Sequence, residues 1–124
     1  MRQALQIHFH GTDSSAAVED AVRRRLQHLE RFSDEIVSCR VGVELLQRHS
    51  QQGRPFGVGI ALTIPGRELV VSGVQHEDVY VAIRDAFDAM ARQLEEAVRQ
   101  RRGEVKRHAQ QAGGAAAGPE GGEG

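Results

Sequence analysis

The run Phe56-Gly57-Val58-Gly59-Ile60-Ala61-Leu62-Thr63-Ile64 places a large apolar residue at every second position and a small or polar one between. A period of two is that of a strand with one face turned to a core. Pro65-Gly66 then supplies turn chemistry, so Glu68 to Val74 is expected to return antiparallel as a hairpin partner. Upstream, Val37, Cys39, Val41, Val43 and Leu45 alternate with Ser38, Arg40, Gly42 and Glu44, a second strand of the same kind. The polar segment Arg48 to Arg54 joins the two. Three successive strands with short connections form a meander.

Working outward, Leu5, Ile7 and Phe9 alternate with Gln6, His8 and His10, and Gly11 ends that strand. Ser14 or Ser15 can cap the helix that follows, with Glu19 and Asp20 near its positive end. Val18, Val22, Leu26 and Leu29 form its apolar stripe, which Phe32 extends. Beyond the meander, Glu77 and Asp78 open a long helix with a stripe of Val79/Tyr80, Ile83, Phe87, Met90, Leu94 and Ala97/Val98. This helix is expected to run to about residue 108. The order is β-α-β-β-β-α. A strand–helix–strand connection is most simply parallel and right-handed. The expected fold is α+β: a four-stranded mixed sheet with both helices packed on its single apolar face.

The 124 residues suit one domain, read as 1–108, followed by a flexible tail over 109–124. Gly113 to Gly124 hold six of the 14 glycines and cannot bury enough apolar surface to offset their ordering entropy. Cys39 is the lone cysteine and lies in phase with apolar positions, which suits a buried thiol. No apolar run reaches the ~20 residues of a membrane span, and Met1-Arg2-Gln3 leads straight into a strand with no signal-peptide core. A cytoplasmic protein is expected. No phosphate-cradling loop, nucleophile elbow or dinucleotide fingerprint is present, so no enzyme, cofactor or small-molecule substrate is expected. His8 and His10 form a pair on one strand face, with His49 and His76 unplaced, but zinc sites need three or four ligands and none is predicted. His76-Glu77-Asp78 resembles an acid–base cluster, and a helix start explains it as well.

Of 16 basic residues, 15 are Arg and one is Lys106. On the long helix, Arg84, Asp88, Arg92, Glu95, Arg99, Arg102 and Lys106 share one strip about 80° wide at ~100° per residue, with Arg101 nearby. Such a strip can follow a phosphate backbone. It can equally be a solvated face laced by Arg84–Asp88, Asp88–Arg92, Arg92–Glu96 and Glu95–Arg99 pairs. On the first helix Arg24 and Arg25 are followed by His28 and Arg31, and two helices side by side would merge these rows. The net charge of 16 − 17 = −1 does not forbid an RNA partner, because segregation matters rather than excess. Arg99 to Arg107 hold five cations and one acid, Glu104.

The stretch His76-Glu77-Asp78-Val79-Tyr80-Val81-Ala82-Ile83-Arg84-Asp85 resembles the E-D-x-Y-x-A-I-D signature of the hibernation-promoting factor / ribosome-associated inhibitor A family, also called sigma-54 modulation proteins. Leu26 to Phe32, Leu62 to Gly66 and Arg92-Gln93-Leu94 add to the likeness, which covers about residues 3–108 of a short-form chain. The resemblance implies a fold related to double-stranded-RNA-binding domains. It implies a stress-response factor that binds 16S rRNA of the small ribosomal subunit, blocks the mRNA and tRNA sites and so inhibits translation. The family's basic positions fall on Arg25, His28, Arg31 and Arg92, while Ala89, Glu95, Glu96 and Val98 stand where Lys or Arg is usual. The expected rRNA-binding set is Arg24, Arg25, His28, Arg31, Arg84, Arg92, Arg99, Arg101, Arg102 and Lys106. The alternative is a protein-interaction module that recruits a partner, or a second copy as a homodimer, by strand addition at the sheet edge.

Overall fold

The computed structural model describes residues 4–46 and 54–113, with side chains described up to residue 103. The order is β1 (Ala4–His10), α1 (Ala16–Leu29), β2 (Ser38–Leu45), β3 (Phe56–Ile64), β4 (Arg67–His76) and α2 (Val79–Gly113). The expected loop at Arg48 to residue 53, and the tail beyond Gly113, lie outside the described residues. The chain forms two units, residues 1–94 and 95–124. The first holds the sheet, α1 and the first half of α2. The second begins within α2.

The four strands lie in the order β1-β2-β3-β4. β1 pairs parallel with β2, and β3 is antiparallel to both β2 and β4, as the crossover and the short connections require. The register stacks the apolar alternations on one face. Cys39, Val41 and Val43 stand opposite Leu62, Ile60 and Val58, and Leu69 and Val71 extend the rows from Leu62 and Ile60. All eight are buried. Against this face, α1 buries Val18, Val22, Leu26 and Leu29. The first half of α2 buries Ala82, Ile83, Ala86, Phe87, Met90 and Leu94. No polar or charged residue is buried among the described residues. Hydrophobic burial therefore holds the core together, at ~1.5–3 kcal/mol for each large apolar side chain.

Local chemistry sets the helix ends. Ser15 is extended (φ −139°, ψ 123°), and its hydroxyl accepts from the Val18 N–H at 3.2 Å, an N-cap. α1 closes with Arg31 N–H on the His28 carbonyl (3.2 Å) and Phe32 N–H on the Leu29 carbonyl (2.9 Å), a tightened last turn. At the start of α2, Asp78 Oδ1 accepts from the Tyr80 N–H at 2.9 Å, and the Ala82 N–H reaches the Asp78 carbonyl at 3.0 Å. His76 Nδ1 accepts from the Asp78 N–H at 2.9 Å. The His76-Glu77-Asp78 cluster is thus a helix entry.

Three expectations need correction. Val37 does not share the core face: it is 54% exposed, and Ile36, at 1%, is buried in its place. β2 begins only at Ser38, so the pleat's alternation does not extend to residue 37. Phe32 is 43% exposed rather than continuing the α1 stripe, because α1 ends at Leu29 and the helical period stops there. α2 continues past residue 108 to Gly113, since Ala109, Gln110, Gln111 and Ala112 are helix-compatible and contain no breaker.

The β3–β4 pairing also carries a bulge that the alternation does not predict. Val58 pairs Val74 but Ile60 pairs Val71, so Ser72 and Gly73 together oppose Gly59. Gly73 has φ +83°, a left-handed conformation that costs a side chain about 1–2 kcal/mol. Gly73→Ala should lower unfolding free energy by about that amount. Gly42, in the middle of β2 with open space where its Cβ would go, is its control. Gly42→Ala should be neutral or stabilising by up to ~1 kcal/mol. Paired denaturant titrations read both.

Candidate nucleic-acid interface

With a single apolar sheet face, α1 and the start of α2 lie side by side, and a cleft opens between them. It measures about 390 Å³ and is lined by Ala21, Arg24, Arg25, His28, Tyr80 and Ile83. Arg24, Arg25 and His28 project from consecutive turns of α1 because residues three or four apart share a helix face. Tyr80 comes from the first turn of α2, fixed by the Asp78 cap. Ala21 and Ile83 give the cleft an apolar floor. The His28 ring also meets the Phe32 ring edge to face, at 6.5 Å between centroids.

Ion pairing sorts the arginines. On α1, Arg23 turns to Glu19 (3.7 Å) and Asp20 (3.6 Å). Arg40 reaches from β2, over the small residues of β3, to Glu68 of β4 at 3.9 Å. Arg84 lies on the neighbouring Asp85 at 3.1 Å rather than on the expected Asp88. Arg24, Arg25, Arg31 and Arg92 have no ion pair among the described residues. Exposed pairs contribute little to stability, but they neutralise the cation locally. Among the described residues no carboxylate neutralises these four guanidinium groups, while Arg54, also without an ion pair there, donates through Nε to the Leu46 carbonyl at 3.2 Å.

The second unit is the C-terminal part of α2. There Arg99 lies between Glu95 (3.9 Å) and Glu96. Of the expected pairs on the long helix, Glu95–Arg99 is present, while Asp88–Arg92 and Arg92–Glu96 are absent among the described residues. Arg101 is engaged by a partner. Arg102 is exposed without one among the described residues. Lys106 lies on the helix, and its side chain is outside the described residues. The expected set thus divides: Arg24, Arg25 and His28 share the cleft, Arg31 and Arg92 are free and exposed, and Arg84 and Arg99 are tied to carboxylates. The sequence reading missed Tyr80 as a site residue. Its signal was its place in the E-D-x-Y stretch, two residues after the cap.

Among the described residues no cluster of three His, Cys, Asp or Glu side chains could hold a metal, and His49 falls outside them. No helix is long and apolar enough to cross a membrane among the described residues. Burial pushes the Cys39 thiol up to about 12, so the nucleophilic thiolate is scarce near neutrality. Iodoacetamide at pH 8 should leave Cys39 unmodified in the native protein and label it fully in denaturant, as mass spectrometry would report.

The family model described as Sigma 54 modulation protein / S30EA ribosomal protein matches residues 5–102. The Ribosome hibernation promoting factor of Azotobacter vinelandii is 32% identical over 90 residues, 73% of this chain and 78% of that protein. The Ribosome hibernation promotion factor of Deinococcus radiodurans is 27% identical over 92 residues, 74% of this chain. The match spans only 47% of the length of that second relative. Among solved structures, the Thermus thermophilus Protein Y N-terminal domain aligns with a TM-score of 0.64 at 23% identity, covering 77% of this chain and 98% of that one. A ribosomal subunit interface protein from Coxiella burnetii gives the same TM-score at 17% identity, covering 77% and 97%. At these identities the two structures show a shared fold.

Proposed function

Because the chain belongs to the Sigma 54 modulation protein / S30EA ribosomal protein family, we propose that it is a ribosome hibernation factor of the cytoplasm. In this reading it binds the small ribosomal subunit through 16S rRNA phosphates, and occupies mRNA and tRNA sites when translation must be silenced under stress. The observation that carries the reading is the distribution of free cations. Arg24, Arg25, Arg31 and Arg92, with His28, belong to the two helices or follow α1 closely, and they lack carboxylate partners among the described residues. By contrast, Arg23 on the α1 surface and Arg40 on the open sheet face each lie against carboxylates within the protein. A guanidinium fork pairs with phosphate oxygens in two parallel hydrogen bonds. This is how a chain of net charge −1 presents an anion-binding surface.

Arg84 and Arg99 take a smaller part in this proposal, because an rRNA phosphate would have to displace Asp85, or Glu95 and Glu96. Arg101, Arg102 and Lys106 form a separate basic segment on the C-terminal part of α2, which adds phosphate contacts of its own.

The test is co-sedimentation with purified small subunits over a salt series. Each phosphate contact releases counterion, so affinity should fall linearly on a log–log plot. Arg24→Glu with Arg25→Glu should abolish pelleting at physiological salt and flatten the salt slope by about one unit per lost contact. Arg99→Glu should weaken pelleting by only a few-fold. Wild-type protein that stays in the supernatant at low salt would refute the proposal.

A second reading, self-association by strand addition, draws on the two sheet edges. At β4, Gln93 Nε2 of α2 donates to the Val70 carbonyl at 2.8 Å, which occupies part of that edge. β1 has β2 as its one neighbour, and its core-facing Leu5, Ile7 and Phe9 are only half-buried. Light scattering should find a monomer at high salt if the rRNA reading holds. A salt-resistant dimer would favour the edge.

A further inference from the structure

The cleft between α1 and α2 contains more than cations. Tyr80 is 47% exposed, and its hydroxyl has no hydrogen-bond partner among the described residues. Its ring shares the cleft with an apolar floor, Ala21 and Ile83, and with three donors, Arg24, Arg25 and His28. A flat phosphate backbone would use the arginines alone and leave the ring and the floor unused. A single unstacked nucleotide uses all of them: its phosphate meets the guanidinium groups and its base lies on the Tyr80 face over Ile83. The cleft, about 390 Å³, is within the range of small-ligand sites.

We propose that the Tyr80 cleft receives one unpaired nucleotide of an RNA strand, so that the protein distinguishes single-stranded or bulged RNA from duplex. The proposal rests on the rRNA reading above and deepens it: phosphate contacts supply the affinity, and the cleft supplies the preference for a base turned out of its stack. Base–aromatic stacking tolerates any sequence, because every base has a π-face. The recognised feature is therefore strand state and not sequence. Duplex RNA holds its bases in the stack, and its deep, narrow major groove admits no side chains.

The chain carries its own reporter. Tyr80 is the only Tyr and there is no Trp, so tyrosine emission reads the cleft alone. The full chain is titrated at low salt with a mixed-sequence single-stranded RNA octamer, a blunt-ended, fully paired RNA duplex of equal charge, inorganic phosphate and free adenosine monophosphate. The octamer should quench emission saturably. The duplex and phosphate should leave it unchanged, and the free nucleotide should quench only at far higher concentration. Affinity for the labelled octamer is read separately by anisotropy. Tyr80→Ala should weaken it on the order of tenfold or more, the scale of one lost stack, while Tyr80→Phe should retain it. The ring is half exposed, so a thermal melt should show both variants folded. Equal binding of octamer and fully paired duplex with no effect of Tyr80→Ala overturns the cleft proposal and leaves the phosphate reading intact. A free nucleotide that binds as tightly as the octamer overturns it too, because the ligand would then be a soluble nucleotide. Absence of all RNA binding at low salt removes both readings together.

Discussion

One apolar sheet face must serve two helices. Cys39, Val41, Val43, Val58, Ile60 and Leu62 form that face, and there is no second one: the opposite side carries Gln6, His8, Arg40, Glu44 and Glu68. Each helix has one stripe to bury, so both settle on the same side, next to each other. Their polar flanks then meet along a seam. The basic residues Arg24, Arg25 and His28 come to stand beside Tyr80 for this reason, although more than fifty positions separate them along the chain. The cleft is a by-product of the burial constraint. It will persist as long as the core does.

Most of the architecture was legible because its signals are local. Alternation marked the first three strands and the Pro65-Gly66 turn the fourth, the stripes at Val18 to Leu29 and Ile83 to Leu94 marked the helices, and Ser14 or Ser15 and Glu77-Asp78 marked their entries. What escaped was non-local or lay at element ends. Ser72-Gly73 reads as ordinary strand until pairing with Gly59 shows two residues opposing one. Ile36 and Phe32 sit where the periodic rule no longer applies, so their burial depends on how the chain turns. Arg84 had a spacing suited to Asp88 but folds sideways onto Asp85, a choice among rotamers that spacing does not encode. At the site, the cationic residues of α1 could be named from the sequence. The place of Tyr80 beside them could not, since the cleft exists only once a second helix is placed alongside.

Arginine is present well beyond what the free set requires, and a good share is consumed internally. Arg23, Arg40, Arg84 and Arg99 each lie against a carboxylate. Those pairs do little for stability at an exposed surface. Their effect is local: each carboxylate offsets the positive potential around its own arginine, whereas Arg24, Arg25, Arg31 and Arg92 carry no such partner among the described residues.

The parallel pairing of β1 with β2 has a kinetic side. β2, β3 and β4 close through a hairpin and one loop, whereas Ala4 meets Ser38 only after α1 has been laid between them. Contacts that span a long stretch of chain carry a larger closure entropy and are made late. β1 is also an edge, with its core-facing side chains incompletely covered. It is accordingly the first strand to detach in native-state fluctuations, and its amides should exchange with solvent ahead of those in β3. The meander and the helix seam can therefore survive as a cooperative unit while β1 opens and recloses.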